Sequence, residues 1–160
     1  VVEPGDDRFK TDEIVQIELD EAAIGNVNYS ERIIELSRDS VFLGNATTDS
    51  GEVVKVYGEV TADYFEYCKT ISTNARIKVL KLDANTLSVN DRMLFPSNYN
   101  WTEKWATYQG DRRALSKEQI QFARRSEPMP PAHDWLFAQT AKPLVSKAAN
   151  YLRNEYSYLR

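Results

Sequence analysis

The chain has 160 residues, 42% hydrophobic and 28% charged, with a net charge of −4, one cysteine and one histidine. That length supports one domain, or one domain with a helical arm, without disulfide or metal; a single thiol and a single imidazole exclude an internal disulfide and all but exclude a structural zinc site or a Ser-His-Asp arrangement with a histidine to spare. Balanced charge argues against compositional disorder and a general nucleic-acid polycation, and no apolar run approaches the roughly 18 residues of a membrane-spanning helix.

The first residue is Val1, with no basic-then-apolar leader ahead of it. The expectation is a matured product, an excised domain or the ordered part of something longer, with an anchor upstream of Val1 as one form of it and an extracytoplasmic or virion-associated setting. Charge is unevenly spread. Residues 1–66 carry 5 Lys+Arg against 16 Asp+Glu, and residues 67–160 carry 15 against 8. The two parts pair internally if they pack together, and give the molecule a dipole if they do not.

In chain order, Val15, Ile17 and Leu19 alternate with Ile14, Gln16 and Glu18, the period of a half-buried strand. Ser30–Leu36 fits either a helical turn capped by Ser30 or a strand leading into Val41–Leu43. The polar stretch Gly44–Gly51 reads as a hairpin connection into a second alternation at Val54, Val56, Gly58 and Val60. Thr61–Tyr67 has a cap-like threonine and aromatics three apart, which favours a short helix. Ile77–Leu82 reads as a strand, Asp83–Thr86 as a turn, and Leu87–Phe95 as the antiparallel partner.

From Pro96 to Gly110 the chain is polar and aromatic. Ser116 caps a predicted helix over 117–125, whose basic end suits the helix dipole. Pro128, Pro130 and Pro131 stop it. A final helical stretch covers about 133–159, with Pro143 marking a kink or a new first turn. Leu144, Val145, Ala148, Tyr151 and Leu152 form its apolar stripe. The expected fold is α+β: a mainly antiparallel sheet of four to six strands in residues 1–95, followed by two or three helices. The expected division is a β-rich domain over 1–110 with an acidic front, and a basic helical extension over 111–160 broken at 128–131.

No catalytic constellation emerges. His133-Asp134 reads as the first turn of the last helix rather than a general base, because neighbouring helical residues point apart. Cys68 lacks an activating neighbour and reads as an inert thiol. The six glycines form no phosphate loop, which disfavours a nucleotide-dependent enzyme of the common folds. Neither Asp83-Ala84-Asn85 nor Asn45–Glu52 completes a calcium loop. Asn28, Asn45 and Asn100 each begin a glycosylation acceptor pattern, and Arg125–Pro131 fits a rigid linker better than an extended ligand for an aromatic groove.

Two stretches could bind. Tyr151, Leu152, Arg153, Tyr156 and Tyr158 combine residue types enriched in interface cores, so a projecting C-terminal arm would dock on a neighbour. Tyr99, Trp101, Trp105 and Tyr108 could form a stacking platform for a sugar or small ligand, or could pin the passage from sheet to helices into the core. The leading expectation is a non-catalytic structural module, a subunit of an envelope, secretion or virion assembly. It would dock through the C-terminal arm to protein partners or to itself, with no cofactor, metal or nucleic acid. The alternative is a carbohydrate- or small-ligand-binding domain using the aromatic platform.

Overall fold

The structure is a computed structural model that describes residues 12–157. It holds four strands, β1 (Glu13–Ile24), β2 (Asn28–Thr47), β3 (Val53–Asp83) and β4 (Val89–Gly110). A 3-10 turn over Arg112–Ala114 follows, then two helices, α1 (Lys117–Phe122) and α2 (His133–Glu155). The fold is α+β, a mostly antiparallel sheet with helices after it. β3 is the central strand: β1 pairs antiparallel with its C-terminal part, from Glu13 opposite Asp83 to Ile24 opposite Thr73. β2 pairs antiparallel with its N-terminal part, from Asn28 opposite Thr70 to Thr47 opposite Val53, and β4 also pairs with β3.

Two expectations need correction and a third is narrowed. Strand structure continues through 96–110 rather than ending near 95, and Pro96 lies inside β4. β4 pairs only with β3 and is therefore an edge strand, where a missing N–H need not break a ladder. Thr61–Tyr67 is strand, not a short helix, because those residues are matched one for one with Glu31–Ser37; pairing in the sheet overrides the local helical spacing. α2 runs through Pro143 as one helix, so the described residues hold two helices, the lower of the two or three expected.

The described chain divides into two compact units, each drawn from separate stretches. The first comprises residues up to Asn26, Ile71–Trp101 and those from Pro131 on. Its core joins Ile71, Trp101 and Leu136, with Ile24 and Tyr99 packed against them. On β3 the buried positions are Ile71, Thr73, Ala75, Val79 and Lys81, alternate residues of one face. α2 meets that unit through Leu136, Thr140, Leu144 and Ala148, four apart along one stripe. Thr140, buried, donates to Leu136 O at 3.0 Å and accepts from the Thr73 hydroxyl, whose oxygen also lies 3.0 Å from Tyr99 O. The acidic front meets the basic back here: Arg76 bonds Asp20 at 2.7 Å and Glu21 at 3.2 Å, and Lys78 bonds Glu18 at 2.6 Å. The Arg76 guanidinium holds the Asp20 carboxyl below its usual range.

The second unit comprises Val27–Thr70 and Thr102–Pro130. Val60, Ala62 and Tyr64 of β3 form its core with Ala106, Ala114 and Leu115, and Ile34, Leu36, Val41, Ile120 and Phe122 pack around them. α1 starts with a reciprocal cap: the Ser116 hydroxyl accepts from Gln119 N, and the Gln119 side chain accepts from Ser116 N. Ahead of it, both carboxylate oxygens of Asp111 accept from the Arg113 guanidinium, which also donates to Phe42 O at 2.6 Å.

Arg113 lowers the Asp111 pKa from 3.8 to about 2. A carboxyl group whose pKa is depressed by folding contributes stability above its unfolded pKa and loses it as pH falls through the folded one. The thermal midpoint should therefore decline as pH drops from about 4 to 2, and Asp111→Asn should flatten that part of the curve. An unchanged acid slope in a pH series of thermal melts would refute the assignment.

Candidate functional site

The C-terminal candidates lie on the first unit's own sheet. Tyr151 is half-buried; its hydroxyl donates to Asp91 Oδ2 at 2.9 Å, and its ring sits 5.5 Å from that of Phe95. Tyr156 donates to Glu13. Lys81, buried in β3, lies over both the Tyr151 and Tyr156 rings and bonds Glu155 at 2.5 Å, which raises its pKa. Leu152 is half-buried, Arg153 is exposed, and Tyr158 lies outside the described residues. α2 thus packs on its own sheet rather than projecting from it.

The aromatic candidates separate between the units. Trp101 is buried against Ile71 and Leu136, and Tyr99 meets the Trp135 ring edge-on at 5.8 Å. In the second unit Trp105 is buried, stacked on Tyr67 at 5.2 Å, with Tyr29 6.0 Å away and the Lys69 ammonium over its ring. Lys69 in turn is paired with Glu127. Tyr108 is exposed at the edge of β4. Both indoles are packed by their own unit, so neither offers an open ring face for a sugar to stack on.

His133 and Asp134 open α2, and the Asp134 carboxylate accepts from Trp135 N at 2.9 Å, as expected for a first-turn acid. Among the described residues, no group of three His, Cys, Asp or Glu side chains could hold a metal ion, and no helix is long and apolar enough to cross a membrane.

Exposed apolar side chains occupy both faces of the far end of the β2–β3 hairpin, in the second unit. β4 ends at Gly110, beside Thr61, where Asp111 N donates to Thr61 O. Past that point Val41–Thr47 pair with Val53–Gly58. The arm begins at a bulge, where Asp39 and Ser40 stand between the pairs Arg38–Val60 and Val41–Gly58, and Ser40 takes a left-handed φ of 57°. The turn at its tip is closed by Gly51 N donating to Thr48 O and Thr48 N donating to Glu52 O.

Strand alternation sorts the arm's side chains. Val54 and Val56 continue the row of Val60, Ala62 and Tyr64, the face that forms the unit's core, with Ala46 and Gly44 opposite them. Leu43 lies over Gly58: a Cβ there would meet the Leu43 side chain at 2.7 Å. The core row therefore runs on as Val41, Leu43, Val54 and Val56, where Leu43 is 49% exposed, Val54 37% and Val56 38%. On the other face Phe42 and Tyr57 pair edge-on at 5.7 Å beside exposed Val53.

The chain matches no family model, no curated protein and no solved structure. Geometry and chemistry alone carry the functional reading.

The hairpin itself is legible in the sequence, from the polar Gly44–Gly51 connection between two apolar stretches, but its lack of a covering layer is not. The alternation at Val54, Val56, Gly58 and Val60 does not say whether a second layer lies on it. The available signal was apolar residues in immediate succession, Val41-Phe42-Leu43 and Val53-Val54. Such runs put apolar groups on both faces of a ribbon.

Proposed function

We propose that this chain is a non-catalytic assembly module whose copies join through the β2–β3 hairpin arm, the inner faces of two arms packing against one another. The observation that carries this reading is the apolar row of Val41, Leu43, Val54 and Val56, which continues the core face beyond Leu115 and Ile120. A two-stranded ribbon is marginal alone in water, and two ribbons laid face to face give each the second layer it lacks. Contact between identical patches closes as a twofold pair. Each half-exposed aliphatic side chain covered contributes on the order of 1 kcal/mol, and a twofold pair counts every one twice.

The C-terminal helix is the weaker docking surface. The Tyr151 and Tyr156 hydroxyls already bond Asp91 and Glu13, leaving Arg153 as the group that faces out. A carbohydrate platform is disfavoured by the burial of Trp101 and Trp105.

Light scattering after size exclusion tests the proposal. The wild type should form a concentration-dependent oligomer that persists in high salt, because apolar contacts are not screened. Val54→Ser with Val56→Ser should be monomeric with an unchanged circular dichroism spectrum. A wild type that stays monomeric at every concentration overturns the reading. Mass that falls with salt would assign association to charged faces instead.

A further inference from the structure

In the second unit, the 3-10 turn and α1 enclose a shallow cavity of about 180 Å³ lined by Arg112, Lys117, Ile120, Gln121 and Arg124. The lining carries three cationic side chains and no carboxylate. Lys117, Ile120, Gln121 and Arg124 recur at helical spacing, so one face of α1 and its C-terminal turn presents both charges to the hollow, and Arg112 adds the third from the preceding turn.

None of the three has an ion pair or a side-chain hydrogen bond among the described residues. The contrast with adjacent Arg113 is direct, since that guanidinium is held by Asp111 and Phe42 O. Nor does the acid nearest in sequence form an ion pair with Lys117: the Glu118 carboxyl is held below its usual range by a backbone N–H and by Ser116 at the start of α1. Three like charges gathered at one hollow repel each other in the unliganded chain, and an anion bound among them removes that penalty.

We infer that this cavity binds a phosphate group, as free phosphate, a small phosphomonoester or a lipid headgroup. A single carboxylate is satisfied by one guanidinium. A phosphomonoester carries a charge of about −1.5 to −2 at neutral pH and three acceptor oxygens, enough to engage Arg112, Lys117 and Arg124 together. The Gln121 carboxamide supplies a neutral donor, and Ile120 a small apolar wall for the first carbons of an ester. At about 180 Å³, the hollow has room for a phosphate group.

The test is a titration of the whole chain with inorganic phosphate, followed by amide chemical shifts. The expected result is saturable shifts confined to the Arg112–Arg125 stretch. Arg124→Gln and Lys117→Gln should each weaken binding about tenfold, the loss expected for one charge-assisted contact. Lys55→Gln, which removes the same charge from the hairpin arm, should bind as the wild type does. Thermal melts of the variants separate lost binding from lost structure, since side chains at these exposed positions can change without unfolding α1.

A parallel arm measures co-sedimentation with vesicles of phosphatidylcholine, with and without phosphatidic acid. Capture that requires phosphatidic acid and is reduced by Arg124→Gln assigns the ligand to a lipid headgroup. Binding of inorganic phosphate without capture assigns it to a soluble phosphate. Non-saturating shifts together with no Arg124-dependent capture, or equal weakening by Lys55→Gln, would overturn the inference.

Discussion

Gly110→Ala is expected to be among the most damaging single substitutions in the second unit. Gly110 closes β4 with a φ of +112°, and a Cβ built there would stand 2.7 Å from Thr61 O and 2.8 Å from Ala62 Cα. Both are backbone atoms of the central strand, at the point where Asp111 N donates to Thr61 O at 2.9 Å. Nothing there can swing aside as a flexible side chain could, so the clash adds to the cost of a conformation that L-residues rarely adopt. The sum should be about 3 kcal/mol or more, seen as a lower midpoint in urea denaturation. Gly51→Ala is the matched comparison. Gly51 has a φ of +84° with nothing within 4 Å of the added carbon, so only the backbone strain remains, about 1 kcal/mol. Equal effects at the two positions would show that the close approach at Thr61 and Ala62 does not govern Gly110.

The second large effect is Leu136→Ala in the first unit. Leu136 is fully buried with Ile71 and Trp101, and its carbonyl accepts from the buried Thr140 hydroxyl. Truncation there removes apolar contact and leaves a cavity whose walls are a sheet and an indole, neither able to collapse into it. Such substitutions cost about 2–5 kcal/mol, and a value near the middle is expected by the same denaturation measurement. Val145→Ala, on the opposite side of α2 where the side chain is 70% exposed, should change stability by less than about 0.5 kcal/mol. If the two variants melted together, α2 would not be packed as described.

What the sequence disclosed, it disclosed through short-range pattern. The alternation at Val15, Ile17 and Leu19 marked β1, Asp83–Thr86 marked the turn before β4, and Ser116 marked the start of α1; all three are found in place. The reading failed where long-range pairing decides. Thr61–Tyr67 carries helical spacing, yet partners on both sides of β3 hold it extended. The aromatics of 99–108 alternate in a strand, but nothing in their spacing says that Trp101 would meet Leu136 while Trp105 would meet Tyr29 and Tyr67. The basic cavity shows why sites are harder to read than elements. Arg112 and Arg124 are twelve residues apart among many other charges, and their isolation from any carboxylate is a property of placement.

The interleaving of the two units has a consequence for biosynthesis. A ribosome releases the chain in the order first unit, second, first, second, first, because the breaks fall after Asn26, Thr70, Trp101 and Pro130. All of the second unit is available before any residue of α2 has been made. β1, its partner stretch of β3 and the part of β4 in this unit must meanwhile wait with the row from Ile71 to Lys81 uncovered by α2, since Leu136, Thr140, Leu144 and Ala148 are synthesised after all of them. The nascent chain thus passes through a stage with one unit complete and the other a naked sheet. That exposed sheet is where chaperones would bind and where premature association of neighbouring nascent chains would begin.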